Sequence, residues 1–126
     1  MTSQEQYYVK ENVKRNEFLL LKKAEECGIP VPVIVSYDEF EERLVMIKIP
    51  QMNIADFYGE NFTDVPTWIT DEIRSIVLNL YLHNIEYPDI TGYNFIEYAD
   101  KIWVIDFGDA KEICSNGRDP FVTEFI

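Results

Sequence analysis

The sequence is short of basic residues and cysteines, and it has no long apolar run. Eleven Lys and Arg stand against 23 Asp and Glu, which gives a net charge of −12. Nucleic-acid backbones and anionic membrane surfaces are therefore poor candidates for the main partner, because both require a basic face. Two cysteines, Cys27 and Cys114, are too few for a disulfide-built scaffold and fit a reducing compartment. No stretch approaches the ~18 apolar residues of a membrane span, and the first residues show no secretory signal. We expect an acidic intracellular protein.

The composition nevertheless supports a folded core. Of the 126 residues, 47% are hydrophobic and 14% are aromatic, and a chain of this length buries about two-thirds of its surface on folding. No internal repeat, low-complexity segment or linker interrupts it. We therefore expect a single domain over residues 1–126.

The first half of the chain has the pattern of one helix followed by a hairpin. Apolar residues at helical spacing predict a helix over residues 13–27. Gly28 supplies a left-handed cap, and Pro30 prevents continuation of the helix. Two β-branched runs, residues 31–37 and 43–49, then flank a charged turn and predict two paired strands.

The second half predicts two helices and two further strands. A short helix is expected over residues 53–58, and a longer one opens at Asp64-Val65-Pro66 and ends near His83. Residues 95–98 and 101–105 then form two short antiparallel strands, and a last helical turn begins at Asp119-Pro120. This order indicates an α+β fold.

The densest chemical signal is a set of three oxygen-bearing side chains. Asp89 is followed five residues later by Asn94, and Asp106 begins Asp-Phe-Gly at the end of an apolar strand. Phosphoryl transfer needs a carboxylate to orient the attacking hydroxyl, and an amide and a second carboxylate to hold Mg²⁺ against the phosphates. The pattern therefore favours a phosphoryl-transfer site.

These motifs resemble the catalytic core of the protein-kinase-like superfamily, which pairs D-x-x-x-x-N with V-I-D-F-G. The resemblance is to the small atypical branch of KEOPS-complex kinases and RIO kinases, in which His-Gly stands where this chain has Tyr87-Pro88. Gly28-Ile29-Pro30-Val31-Pro32 and the run at 44–49 also match that branch in order. The similarity covers about residues 8–125. It implies a minimal kinase-like fold with a reduced N-terminal lobe and a truncated helical C-terminal lobe.

The resemblance assigns a role to each residue of the catalytic set. Asp89 becomes the catalytic residue, and Asn94 and Asp106 become the Mg²⁺ ligands. Glu17 becomes the helix glutamate that pairs with the lysine that positions ATP. Lys10 is the candidate for that lysine, although it lies unusually close to Glu17 in sequence.

The resemblance also implies an ATP pocket and a brace for the catalytic loop. Met46 would lie at the back of the adenine pocket. The linker whose backbone meets adenine would be Ile47, Lys48 and Ile49. Asp119 would brace the catalytic loop.

One family feature is missing: no glycine precedes Glu17, so there is no glycine-rich phosphate loop. No strand is predicted before the first helix either. We therefore expect weak ATP binding or none. Lys10 and Glu17 also have a simpler interpretation as solvated residues, and Asp89 and Asn94 as loop residues.

Two functions stay open. The first is a minimal atypical Ser/Thr protein-kinase-like phosphotransferase that uses Mg²⁺ and ATP. The second is a catalytically inactive pseudokinase, an adaptor or structural subunit of a larger assembly, similar to cut-down kinase-like chains of large DNA viruses or bacterial effectors. The charge of −12 favours a protein partner with a basic surface in that case.

Overall fold

The computed structural model of the chain describes residues 6–113. Cys114 and the last helix expected at Asp119-Pro120 lie outside these residues. The elements in chain order are β1 (Tyr7–Lys10), α1 (Arg15–Glu26), β2 (Ile34–Asp38), β3 (Arg43–Ile47), α2 (Ile54–Tyr58), α3 (Thr67–Leu82), β4 (Ile85–Glu86), β5 (Phe95–Tyr98), β6 (Lys101–Val104) and β7 (Lys111–Glu112). Single 3₁₀ turns occupy Phe62–Asp64 and Gly92–Asn94.

The first three strands form one antiparallel sheet in the order β1-β3-β2. Strand β1 pairs with β3 from Tyr7 opposite Ile47 to Lys10 opposite Leu44. The sequence predicts no strand before α1, and the structure corrects this. Four residues are too few to show a clear alternation, and their partner strand begins 33 residues further along the chain, so the pairing leaves no local signal.

Helix α1 is shorter than the predicted 13–27, because Val13 lies before Lys14, the N-cap residue of the helix. The Val13 amide donates to the Glu42 carbonyl at 2.8 Å, and its side chain is fully buried. At the other end Gly28 has φ of +84°, which confirms the predicted left-handed cap. The hairpin that follows is confirmed with shorter strands.

Helix α3 buries the predicted apolar stripe, whose members are all under 5% exposed: Ile69, Ile73, Ile76, Val77 and Leu80. Its start differs from the prediction. Asp64 lies in the preceding 3₁₀ turn, and the cap position is Pro66, which makes no side-chain cap. Beyond α3, the two-residue strands β4 and β7 pair with each other, and the sequence predicts neither.

The β5–β6 hairpin positions the region that the sequence singles out. Its turn residues Ala99 and Asp100 both have positive φ, 54° and 61°, as a two-residue hairpin loop requires. Asn94 directly precedes β5 and Asp106 follows β6, and the Ile105 amide donates to the Asn94 carbonyl at 3.0 Å. A tight turn therefore brings together two residues that are 12 positions apart.

The fold is α+β, as predicted from the order of elements. Within residues 6–113 no helix combines the length and apolar character that a membrane crossing requires. The expectation of one domain over residues 1–126 stays a prediction.

Candidate functional site

A cleft of about 400 Å³ lies between the β1-β3-β2 sheet and the β5–β6 hairpin. This volume falls within the roughly 300–1,000 Å³ of typical ligand pockets. The cleft is lined by seven of the residues that the sequence nominates: Lys10, Met46, Ile47, Lys48, Ile49, Asn94 and Asp106. Glu17 and Asp89 reach this group through direct hydrogen bonds to two of its members.

Lys10 joins two carboxylates that are far apart in sequence. Its Nζ donates to Glu17 Oε2 at 2.5 Å and to Asp106 Oδ1 at 3.0 Å. The Lys10 and Glu17 side chains are 23% and 14% exposed. The interpretation of both as solvated residues is therefore wrong. The seven-residue separation suffices because β1 ends at Lys10 and Glu17 lies in the first turn of α1.

The two carboxylates also determine the charge state of Lys10. Burial by itself lowers the pKa of Lys10, because desolvation penalises the ammonium. The hydrogen bonds to Glu17 and Asp106 and the charges of both outweigh that effect and hold the pKa above its ordinary value. Lys10 is thus a fixed cation at the cleft wall.

Asp89 and Asn94 are held together by the asparagine amide. Asn94 Nδ2 donates to the Asp89 backbone carbonyl at 2.8 Å and to Asp89 Oδ2 at 3.0 Å. Asn94 is 8% exposed and is the one buried polar or charged residue in the described part of the chain, whereas Asp89 is exposed. The amide therefore orients the exposed carboxylate.

Asp106 is fixed through one of its two carboxylate oxygens. Oδ1 accepts from Lys10 and, at 2.7 Å, from the Gly108 amide. The φ of Gly108 is not among the positive values of the described glycines, so this position does not need a glycine for a left-handed backbone. Its observed contribution is the amide donor, together with close approach, since an added Cβ would lie 3.1 Å from Asp106 Oδ1.

Tyr87 is a positioning residue that the sequence analysis missed. Its hydroxyl donates to the Asp106 backbone carbonyl at 2.5 Å, and the residue is 2% exposed. The ring packs against Phe95 and Phe107. Burial raises the pKa of Tyr87 far above its ordinary value, so the hydroxyl stays a donor. The departure from His-Gly at Tyr87-Pro88 is the sequence signal that points to this position.

The donor set fits Mg²⁺ that is shared with a phosphate. Within residues 6–113 no three His, Cys, Asp or Glu side chains form a metal cluster. Mg²⁺ commonly takes only one or two protein carboxylates and completes its shell with substrate phosphates and water. Both hydrogen bonds that Asn94 Nδ2 donates go to Asp89, so the side-chain oxygen of Asn94 is available to a cation. Lys10 and Gly108 both donate to Oδ1 of Asp106, so the second carboxylate oxygen, Oδ2, is also available to a cation.

One of the three linker amides has no backbone acceptor among the described residues. The Ile47 amide donates to the Val33 carbonyl at 2.9 Å, and the Lys48 amide donates to the Gln6 carbonyl at 2.7 Å. The Ile49 amide makes no backbone hydrogen bond with any residue in the described segment. Among the three linker amides, that of Ile49 is therefore the one left without a backbone acceptor in residues 6–113. Met46, 3% exposed, also lines the cleft.

Helix α2 holds the loop that carries Asn94. Gly92 begins the 3₁₀ turn before β5, and an ideal Cβ on it would lie 2.8 Å from the Ala55 backbone nitrogen. Asn53 caps α2 by accepting from the Asp56 amide at 2.8 Å. The absence of a side chain at residue 92 thus sets how closely the loop approaches the helix.

Comparison with known proteins gives consistent matches. The family model described as a RIO domain matches residues 1–121. A probable bifunctional tRNA threonylcarbamoyladenosine biosynthesis protein of Thermoplasma acidophilum is 30% identical, over 73% of this chain and 16% of that protein. EKC/KEOPS complex subunit BUD32 of Enterocytozoon bieneusi is 33% identical, over 75% of this chain and 50% of that protein. This chain spans half or less of the length of these relatives.

A solved structure shares the fold. The Rio2 kinase of Chaetomium thermophilum, crystallised as an ADP/Mg²⁺–phosphoaspartate complex, superposes with a TM-score of 0.65. The match covers 86% of this chain and 34% of that chain, at 17% identity. The protein-kinase-like fold expected from the resemblance is confirmed.

Proposed function

Because the chain belongs to the RIO domain family of atypical protein-kinase-like proteins, we propose that it binds Mg-ATP in the cleft and transfers the γ-phosphoryl group to a Ser or Thr hydroxyl. The observation that carries this proposal is the contact of Lys10 with both Glu17 and Asp106 at the cleft wall. A partly buried lysine that contacts two carboxylates in a cleft is a candidate functional group, because such clusters of charged side chains are common at functional sites.

Lys10 would hold the nucleotide phosphates. An ammonium has three donors, and two of them are directed at Glu17 and Asp106. The third donor and the positive charge are available to a phosphate oxygen. Glu17 fixes the direction of the side chain, and the Ile49 amide would donate to the base at the other end of the cleft.

Asn94 and Asp106 would hold the metal, and Asp89 would act on the acceptor. Mg²⁺, when bound, neutralises phosphate charge in the transition state. Asn94 donates to Asp89 Oδ2, and Asp89 Oδ1 would receive the incoming hydroxyl. The hydroxyl oxygen would bond to the γ-phosphorus as the bond to ADP breaks, and Asp89 would accept the hydroxyl proton.

The expected affinity for ATP follows from the strands that the structure describes. Strands β1, β2 and β3 contain no glycine, so no flexible backbone cradle covers the phosphates from the described sheet. We expect a KM for ATP at the high end of the usual range of roughly 1 μM to 1 mM.

A protein partner is the second part of the proposal. Two relatives are named as subunits of the EKC/KEOPS complex, and a net charge of −12 favours a partner with a basic surface. If the chain is a pseudokinase, this association is its whole function, as an adaptor in a host, viral or bacterial assembly.

The test measures the transfer of labelled γ-phosphate from Mg-ATP by the wild-type chain and by two variants. Asp89→Asn and Asp106→Asn each remove one charge at nearly constant volume. We expect each to lower transfer by about 100-fold or more, the usual contribution of a positioned acid–base or electrostatic group. Asp100→Asn, in the β5–β6 turn, is the matched control and keeps wild-type transfer. Equal transfer by all four proteins, or none by the wild type, contradicts the phosphotransferase proposal.

A further inference from the structure

A second cavity, of about 330 Å³, lies between α2 and the turn of the β5–β6 hairpin, and we call it the hairpin pocket. Its walls come from the segment before α2, from α2 itself and from residues 97–100 at the hairpin turn. Gln51 and Met52 line both this pocket and the cleft. None of the residues with a proposed catalytic, metal or nucleotide role lines the hairpin pocket, so it is a separate site.

Apolar and aromatic side chains are exposed around the hairpin pocket. Phe57 and Tyr58 form a tilted pair with ring centroids 4.6 Å apart. Phe57 is 56% exposed, Tyr98 is 40% exposed, and Met52 adds a further half-exposed apolar side chain. Exposed apolar groups that surround a concave surface of this size are typical of a binding site.

One carboxylate is fixed among these rings. The Tyr58 hydroxyl donates to Glu97 Oε1 at 2.8 Å. This hydrogen bond holds the pKa of Tyr58 above its ordinary value, so the hydroxyl stays protonated and remains the donor. Glu97 forms no ion pair with any residue in 6–113. Its second oxygen, Oε2, is therefore available to a cationic ligand.

The hairpin pocket contains no positive charge of its own. No Lys, Arg or His side chain lines it, and Lys101, the basic residue of the hairpin, has its Nζ 5.8 Å from the centroid of the Trp103 ring. Aromatic faces and carboxylates both attract cations, and the net charge of −12 adds a long-range attraction. Arginine fits this chemistry, because its planar guanidinium stacks on aromatic rings and also donates to carboxylates.

We propose that the hairpin pocket binds an arginine side chain from a segment of a partner protein, with the guanidinium against the exposed rings and Glu97 Oε2. The occupant is a protein segment, because the exposed apolar surface of Met52 and Phe57 would pack against the residues that flank the arginine. This inference rests on the proposed association with a basic protein surface and deepens it, since it names the place and the group that binds there. It does not depend on nucleotide binding or phosphoryl transfer.

The experiment is an NMR titration of the isotope-labelled chain with three ligands. The first is the peptide acetyl-Gly-Leu-Arg-Leu-Gly-amide. The second is the same peptide with citrulline in place of arginine, which replaces the guanidinium by a neutral group of nearly the same shape. The third is N-acetylarginine amide, which lacks the flanking residues.

Three variants accompany the wild type, and circular dichroism verifies their fold. Glu97→Gln removes the charge and keeps an acceptor for Tyr58, and Phe57→Ala removes an exposed ring. Glu60→Gln is the matched control, because Glu60 accepts a hydrogen bond from the Tyr93 hydroxyl at 2.8 Å, as Glu97 does from Tyr58, but does not line the hairpin pocket.

We expect the arginine peptide to shift the backbone amide signals of Phe57, Glu97 and Tyr98, and the citrulline peptide to bind about tenfold more weakly. Glu97→Gln should weaken binding of the arginine peptide by about tenfold, because it removes a hydrogen bond to a charged group. Phe57→Ala should weaken it by about two- to fivefold, the contribution of a cation–π contact at an exposed site. Glu60→Gln should stay within about twofold of wild type.

Equal binding of the citrulline peptide overturns the proposal, and so do equal losses in Glu97→Gln and Glu60→Gln, which would identify a general effect of the acidic chain. N-acetylarginine amide that binds as tightly as the peptide also overturns it, because the site would then serve a small guanidinium compound. Shifts confined to another surface overturn the hairpin pocket and leave the proposed association standing. No shift anywhere at millimolar peptide overturns both.

Discussion

Lys10, Glu17 and Asp106 form one electrostatic unit, in which each carboxylate is compensated by the same cation. Without the ammonium, two negative charges would face each other at a partly buried site. Breaking such a contact costs more than breaking a surface ion pair and less than exposing a fully buried charge. We therefore expect the unit to contribute to folding, in addition to the ligand role proposed for it.

Replacement of Lys10 tests the energetic part of this account. We expect Lys10→Met to lower the free energy of unfolding by about 1–2 kcal/mol, because it leaves the two carboxylates uncompensated. Urea unfolding followed by circular dichroism measures it. Lys14→Met is the control, because Lys14 is exposed and, among residues 6–113, forms its ion pair with Glu42; little change is expected there. A loss no larger than that of the control would show that the contact contributes nothing to stability.

The raised pKa of Lys10 gives a second prediction, for pH dependence. A folded-state pKa above the ordinary 10.5 means that the native state binds the proton more tightly than the unfolded state. The stabilisation from Lys10 is therefore complete below about pH 10.5 and is lost as the pH rises through the folded-state pKa. The difference in unfolding free energy between wild type and Lys10→Met should be constant from pH 7 to 10 and decrease above that range. A decrease already between pH 7 and 9 contradicts the assignment.

At the scale of elements, the hairpin and the loop before it decide where the site residues meet. The β5–β6 turn and the apolar stripe of α3 follow from local patterns, so both could be predicted from the sequence. Asp89 and Asn94 lie five residues apart in one loop, so their proximity could also be predicted from the sequence. These features depend on residues within a few positions of each other, which is the range over which a single sequence is informative.

Features that depend on distant partners could not be predicted. Strand β1 exists because β3 provides a hydrogen-bonding edge, and the contact of Lys10 with Asp106 spans 96 residues. Tyr87 acquires its role only when its hydroxyl meets the Asp106 carbonyl. The family resemblance nominated Lys10 and Glu17 as a pair, and the roles of these and the other site residues stay predictions until they are tested.

Gly92 offers a test of how α2 positions the loop that carries Asn94. A Cβ at residue 92 would lie 2.8 Å from a backbone atom of Ala55, so the loop or the helix must move. We expect Gly92→Ala to cost about 1–3 kcal/mol of unfolding free energy. It should also reduce phosphoryl transfer, because the loop carries Asn94. Thermal unfolding and the labelled-phosphate assay measure the two effects. Wild-type values in both would show that the close contact is unimportant.

The whole molecule joins a small sheet to a compact helical and hairpin region, with the cleft between them. The described sheet has three strands, and the chain spans 34% of the Rio2 kinase chain whose fold it shares. At this scale the family and the fold are established. Nucleotide binding and phosphoryl transfer are proposals that depend on the cleft, and association with a basic protein surface is a proposal that depends on the net charge.

Paramagnetic broadening of NMR signals by Mn²⁺-ADP tests the central claim, a metal–nucleotide site at Asn94 and Asp106, most directly. Mn²⁺ replaces Mg²⁺ at oxygen ligands and broadens nearby resonances. We predict the strongest broadening at the Gly108 amide, which binds Asp106, and at the Asn94 side-chain amide. Ser36 on β2 should stay sharp. No broadening at saturating Mn²⁺-ADP, or broadening centred away from Asn94 and Gly108, would contradict the account.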